Sequence, residues 1–199
     1  MKKTILIPCF NEKNFIDKVI KNVKSNIEKT DNIFVIDDGS NDGTTELLKK
    51  YETDEQINCI FNPLNSGKGS AIISGLEKSE KLNDIILIQD ADLEYDPDDY
   101  KKIFLPFYET NADVVYGSRF LGGAKYYRLH FFWHLVANKI LTLICNLVTN
   151  LNMTDMETGY KCFKKEAIMS IKLKEKSFGI EPEITVKLSK KKFKFFEVP

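Results

Sequence analysis

Apolar residues along the first 118 positions fall into short runs, separated by stretches where they recur every three or four residues. The runs "TILIPCF" (4–10), "NIFVIDD" (32–38), "INCIFN" (57–62), "DIILIQD" (84–90) and "ADVVYGS" (112–118) read as five strands. They are apolar throughout rather than alternating, as strands are when helices cover both faces of a parallel sheet. Between the first two, 12–28 reads as a helix with Phe15, Val19, Ile20, Val23 and Ile27 on one side. Further helices are predicted near 43–52, 68–81 and 97–109. This alternation predicts an α/β fold with a mostly parallel central sheet. No repeat or low-complexity linker interrupts it, so 1–199 reads as one domain.

The pattern changes at 130–151, "HFFWHLVANKILTLICNLVTNL". His134, Asn138, Thr142, Asn146 and Asn150 recur every four residues among mostly apolar neighbours. That spacing makes a helix with a narrow polar stripe and a wide apolar face. Two readings stand: a buried core helix, or a helix at a membrane surface that guides a lipid. No run of eighteen apolar residues is present, so no segment is expected to span a bilayer unaided. Lys187, Lys190, Lys191, Lys192 and Lys194, mixed with Phe193, Phe195 and Phe196, could meet anionic lipid or form a lysine-protected strand edge. The chain stops at "FKFFEVP", directly after a strand-like run, which predicts truncation of a longer protein.

Composition narrows the function. Lysine plus arginine and aspartate plus glutamate number 29 each, and a neutral chain is a poor match for a nucleic-acid binder. Cys9, Cys59, Cys145 and Cys162 are widely spaced, form no C-x-x-C pair and predict reduced thiols in a cytoplasmic protein without zinc.

Polar chemistry collects just after the strands, where open α/β sheets bind ligands. Strand 1 is followed by Pro8-Cys9-Phe10-Asn11-Glu12, strand 2 by "DDGSNDGT", strand 3 by "NPLNSGKGSA", strand 4 by "DADLE" and strand 5 by "GSRF". Six carboxylates crowd the thirteen residues 88–100. Asp96, followed by Pro97, suits a helix N-cap, and Asp98 and Asp99 then fall in the first turn, where the helix dipole favours anions. Asp90 and Asp92 have no such outlet. Two apart at a strand end, they point the same way and offer hard oxygen ligands to Mg²⁺ or Mn²⁺, with Glu94 a possible third. "NSGKG" lacks the earlier glycine of a phosphate-binding Walker loop, and no G-x-G-x-x-G follows strand 1. Gly67 and Gly69 still permit close backbone approach, and Lys68 could meet an anion or merely sit in a turn.

Taken together, "IPCFNE", "VIDDGSNDGT", "NSGKGSA", "QDADLE", "VVYGSRF" and "TDMETGYKCF" resemble a family-2 glycosyltransferase with the GT-A fold. They run in that family's order and cover nearly the whole chain. The last two, with "GIEPEIT" at 179–185, resemble the branch that loads sugars onto polyprenyl phosphates, including dolichyl-phosphate mannose and glucose synthases. The resemblance implies a Rossmann-like α/β/α sandwich in which 1–118 binds a nucleotide sugar and 119–199 the acceptor. Pro8, Phe10, Asn11, Glu12 and Asp38 would line the base and ribose pocket, with Lys68 and Gly69 nearby. Asp90-Ala91-Asp92 matches the D-x-D motif that holds a metal on the donor's diphosphate. Arg119 matches an arginine that meets the acceptor phosphate. A second arginine found in some relatives has no clear counterpart. His134 and Asn138 take the corresponding places, and Arg128 lies one loop earlier.

The implied activity is metal-dependent, inverting transfer of mannose or glucose from a UDP- or GDP-sugar to a polyprenyl phosphate, by a protein peripheral on the cytoplasmic face of a membrane. Asp92, Arg119 and Asp155 are the candidate catalytic residues. A phosphate acceptor has its second pKa near ~6, so it is largely dianionic at neutral pH and needs positioning rather than a base. A hydroxyl acceptor would need one, and Asp155 or Glu157 could serve unless their loop simply packs over the sugar. Two alternatives remain: transfer to a saccharide or glycan hydroxyl, and a non-catalytic nucleotide-sugar-binding subunit. Intact Asp90, Asp92 and Arg119 count against the second. The Q-x-x-R-W signature of polymer-forming relatives is absent, the only tryptophan being Trp133.

Overall fold

The computed structural model describes residues 1–122 and 131–199. Seven strands form one sheet: β1 (Lys3–Cys9), β2 (Asn32–Asp37), β3 (Ile57–Phe61), β4 (Ile85–Ile88), β5 (Val114–Gly117), β6 (Lys161–Lys164) and β7 (Phe195–Val198). Their order across the sheet is β3-β2-β1-β4-β6-β5-β7. Among the described residues only β6 runs against its neighbours, pairing antiparallel with β4 and with β5. The five strands predicted from apolar runs are present to within two residues at each end. No such run announces β6, a four-residue "KCFK" with a lysine at each end.

The helices are α1 (Ile16–Ser25), α2 (Thr44–Leu48), α3 (Lys68–Leu76), α4 (Tyr100–Glu109), α5 (Phe132–Thr149), α6 (Lys165–Met169) and α7 (Ile180–Lys190). Ile5, Ile33, Leu87 and Val115 face one way and pack against α1, α2 and α4. Leu6, Phe34, Ile86 and Val114 face the other way and pack against α3, α6 and α7. This is the predicted three-layer sandwich, and burial of both faces explains why the strands read as apolar throughout. In α1 the buried stripe is Ile16, Val19, Ile20 and Val23, while Phe15 precedes the helix and lies exposed. Asp96 caps as predicted: its Oδ1 accepts from the Asp98 N–H at 3.0 Å, with Pro97 opening a 3₁₀ turn that leads into α4.

Helix α5 reverses the usual arrangement. Its buried residues are Asn138, Thr142 and Cys145. Trp133, Leu143, Leu147 and Val148 are 75%, 59%, 76% and 62% exposed, which excludes the core-helix reading. At 18 residues with a mean hydropathy of 1.3, α5 also meets by length and composition the minimum for crossing a membrane, correcting the expectation that no segment would.

Between α6 and α7, residues 174–178 strap across the start of α3. Glu183 accepts the backbone N–H groups of Lys174 and Glu175 at 2.9–3.0 Å, and the Ser70 N–H donates to the Lys176 carbonyl at 2.9 Å. A Cβ on Gly69 would overlap the Glu175 carbonyl, so glycine is what admits the strap. Gly69→Ala is therefore expected to cost on the order of 2 kcal/mol and lower the melting temperature by roughly 4–8 °C. Ser70→Ala, which keeps the backbone bond, should melt like the parent. Equal melting of all three proteins would show that the strap is not seated as described.

Candidate active site

Strand order reverses between β1 and β4, and the crevice at their carboxyl ends is where a sheet of this kind binds ligands. A cleft of about 460 Å³ opens there. Of the residues implicated by sequence, Pro8, Phe10, Glu12, Asp38, Lys68, Asp90, Ala91 and Asp92 line it. Asn11, which is exposed, and Gly69, which is buried, are not among its lining residues. Asn11, at φ 58°, ties two loops together: its N–H donates to Ser40 Oγ at 2.8 Å and its Oδ1 accepts from the Asn41 N–H at 2.9 Å. Gly69 lies against the strap. Asp38 lines the cleft while clamping the β3–α3 loop, accepting from Ser66 N–H at 2.8 Å and Gly67 N–H at 2.6 Å.

The cleft carries a surplus of negative charge. Burial, and then the charges of Asp92, Asp42 and Asp90, raise the Glu12 carboxyl above its ordinary pKa. Burial also raises Asp92, with Asp90 and Glu94 adding to it, although the Glu94 N–H donates to its Oδ1 at 3.0 Å. Carboxylates whose charge is disfavoured by one another fit a hard cation. Among the described residues no group of three or more His, Cys, Asp or Glu side chains could hold a metal alone. A cation here would need oxygens from a ligand to complete its shell, as Mg²⁺ usually does.

Asp90 is already neutralised. Lys68 Nζ lies 2.7 Å from Asp90 Oδ1 and 2.8 Å from Glu181 Oε1, and Lys161 Nζ lies 2.5 Å from Glu181 Oε2. Gly159 lets this happen, because a Cβ there would overlap Asp90 Oδ2 and the Tyr95 ring. Burial alone would raise Glu181, but the two lysines hold its carboxyl below the ordinary range.

A second cluster stands at the end of β5. The Arg119 guanidinium meets Asp155 in a two-pronged pair, Nε to Oδ2 at 2.8 Å and Nη2 to Oδ1 at 2.9 Å. Asp155 also accepts from the Arg119 N–H at 3.1 Å and from Asn138 Nδ2 at 3.0 Å. Its loop is held by Glu197 of β7, which accepts the Thr154 and Asp155 N–H groups at 2.9–3.2 Å. Burial would raise Asp155, yet Arg119, with Asn138, keeps it below the ordinary carboxylate range. A carboxylate so held is a weak proton acceptor, and its geometry is that of a brace for Arg119. Glu157 nearby is half-buried, and burial raises its pKa.

Of the other acceptor candidates, Asn138 joins this cluster, His134 is exposed on the first turn of α5, and Arg128 lies outside the described residues. Glu94 is exposed beside Asp92. Glu181, Lys161, Glu197, Ser177 and the 70%-exposed Phe178, which with Ser177 lines the cleft, were not singled out by sequence. Glu181 lay within a recognisable motif, but nothing in "GYKCF" announced that Lys161 would be fully buried.

Comparison with known proteins shows the family and the fold. The profile of Glycosyl transferase family 2 matches residues 4–171. A UDP-N-acetylglucosamine–dolichyl-phosphate N-acetylglucosaminyltransferase of Methanococcus voltae is 32% identical over 98% of this chain and 83% of its own. A dolichol-phosphate mannosyltransferase of Pyrococcus furiosus is 26% identical over 100% of this chain and 56% of its own. Glucosyl-3-phosphoglycerate synthase of Mycobacterium tuberculosis, solved with Mn²⁺, UDP and phosphoglyceric acid, superposes with a TM-score of 0.77 at 18% identity, over 99% of this chain and 68% of that one.

The Asp155 pair predicts an acid limit to stability. A carboxyl depressed in the fold stabilises above its unfolded pKa of ~3.9, and that contribution is lost as pH falls through the folded value. Asp155→Asn leaves the Arg119 charge a quarter exposed and poorly paired, so we expect a loss of about 2–3 kcal/mol at pH 7. The difference between variant and parent should shrink as pH drops below about 4. A difference that stays constant with pH, in thermal unfolding from pH 7 to 3, would contradict the charge assignment.

Proposed function

The chain belongs to glycosyl transferase family 2, and on that premise we propose that it transfers a hexose, mannose or glucose, from a UDP- or GDP-sugar to a polyprenyl phosphate. The observation that carries the acceptor is the one carboxylate shared by Arg119 and α5. Asp155 grips the arginine with both oxygens and, through Asn138, grips the helix whose apolar side faces outward. A cation fit for a phosphate and a surface fit for a lipid chain are thereby built on one support. The names of the dolichyl-phosphate and dolichol-phosphate relatives point the same way.

In this reading Pro8, Phe10, Asn11, Glu12 and Asp38 form the nucleoside end of the donor site, with Lys68, Gly69 and Ala91 beside the diphosphate. Asp90 and Asp92, with Glu94 at their edge, would hold Mg²⁺ or Mn²⁺. When bound, the cation supplies Lewis-acid neutralisation of the leaving diphosphate. Arg119 aligns the acceptor phosphate for attack on the anomeric carbon from the face opposite the leaving group, which inverts the sugar. His134, Asn138 and Arg128 are further candidates along the acceptor path. The protein would sit on the cytoplasmic face of a membrane, where its four unpaired thiols are stable.

One observation favours a second reading, transfer to a glycan hydroxyl: Glu157, raised in pKa by burial and without a hydrogen bond among the described residues, has the character of a general base.

Transfer of radiolabelled sugar from UDP-glucose, UDP-N-acetylglucosamine and GDP-mannose to a short polyprenyl phosphate, with Mn²⁺, tests the reading. Arg119→Ala should lower transfer roughly 10²–10³-fold, the range for loss of one charge-stabilising donor, with donor binding nearly unchanged. Equal loss of donor binding would remove Arg119 from the acceptor side. Activity only with glycan hydroxyls, abolished by Glu157→Gln, would favour the second reading. Separately, Leu147→Glu with Val148→Glu should abolish binding to phospholipid vesicles, and unchanged binding would show that α5 is not the membrane face.

A further inference from the structure

Resting on that donor site, we propose that Lys68 is an exchangeable counter-ion: it occupies the cation's place on Asp90 until the donor's diphosphate draws it away, while Glu181 and Lys161 keep it anchored.

Four charges alternate from the cleft into the core: Asp90, Lys68, Glu181 and Lys161, linked at 2.7, 2.8 and 2.5 Å. Two positive and two negative groups cancel, so the set is neutral without any ligand. Its ends differ. The Asp90 and Lys68 side chains are 25% and 16% exposed and both line the cleft, whereas Glu181 and Lys161 are 4% and 0% exposed. Lys161 is further fixed by donating to the Thr158 carbonyl at 2.5 Å and by lying 5.1 Å from the centre of the Tyr116 ring. The inner pair is therefore permanent, and the outer pair is open to competition.

An ammonium offers three donors, and two of Lys68's are placed on Asp90 and Glu181. A divalent cation arriving alone at Asp90 must displace a lysine already bonded there, or lie beside its like charge. A cation arriving with a diphosphate faces neither cost, because the lysine can exchange one anionic oxygen for another while Glu181 retains it. Asp92, which makes no ion pair among the described residues, offers a carboxylate to the cation in either state. Metal and nucleotide should then bind with a coupling that depends on Lys68, beyond what shared ligation by the phosphates supplies.

The test is the Mn²⁺ affinity of the parent, Lys68→Met and Asp90→Asn proteins, measured by the paramagnetic resonance of free Mn²⁺, with and without UDP, and with GDP in parallel. Lys68→Met should bind Mn²⁺ alone roughly tenfold tighter than the parent, the worth of one charged hydrogen bond, and lose most of the gain that nucleotide brings. Asp90→Asn should change the Mn²⁺-alone affinity by less than about twofold but weaken it about tenfold or more once nucleotide is present. Asp90→Asn is isosteric, so it decides the question should Lys68→Met fail to fold. Unchanged Mn²⁺-alone affinity in Lys68→Met, or equal losses in Asp90→Asn with and without nucleotide, overturns the exchange. No Mn²⁺-dependent binding of either nucleotide by the parent overturns the donor-site reading itself, and this inference with it.

Discussion

Asp155 accepts four hydrogen bonds with no exposure to water, three from Arg119 and one from Asn138. An anion so deep is tolerable only where donors surround it, and here the donors come from two separate parts of the chain while a third holds the loop in place. Arg119 follows β5, Asn138 belongs to α5, and the loop that carries Asp155 is hung from Glu197 of β7. The strand at the sheet's edge, the helix beyond it and the arginine at its rim therefore have their relative places set by one carboxylate. Loss of any donor leaves the others holding an underpaired charge.

The cleft side is built on the same economy, again around a buried anion. Glu181 is the buried anion, and two lysines reach it from opposite directions. Each of the two clusters thus puts a carboxylate below the surface and a cation at or near it. The cleft that holds Glu12 and Asp92 is the exception: after burial, the charges of Asp92, Asp42 and Asp90 raise the proton affinity of Glu12, and those of Asp90 and Glu94 raise that of Asp92. The site is pre-formed at its cationic ends and unbalanced at its acidic one.

Much of this was legible beforehand, for reasons that differ by element. Strands β1 to β5 were readable because burial on both faces demands unbroken apolar runs, and Asp96 because capping is settled within three residues. The placing of Asp90, Asp92 and Arg119 on the sheet's rim was readable because each follows a strand, where sheets of this kind bind ligands. Strand β6 was not, because four residues flanked by lysines carry no periodicity, and Lys161 is buried only by virtue of a partner twenty residues away. The roles of Asp155 and Lys68 were likewise hidden. Sequence places a charged side chain on a loop but does not say which charge meets it. The helical period of α5 was evident, yet a period defines a stripe without saying which side of it meets the protein.

That last ambiguity, once resolved, changes what substitutions α5 should tolerate. In an ordinary amphipathic helix the polar positions drift and the apolar ones are held. Here Asn138, Thr142 and Asn146 each make specific bonds, to Asp155, to the Met156 N–H and to the Met153 backbone. Leu143, Ile144, Leu147 and Val148 touch little and need only remain greasy. Replacing an asparagine by leucine, a change that improves both helix propensity and hydrophobicity, would be the harmful one. Exchanging one aliphatic for another on the outer face would pass unnoticed. Among related chains, the record of this helix should read inside out, with its amides and hydroxyl held fixed and its hydrocarbon free to wander.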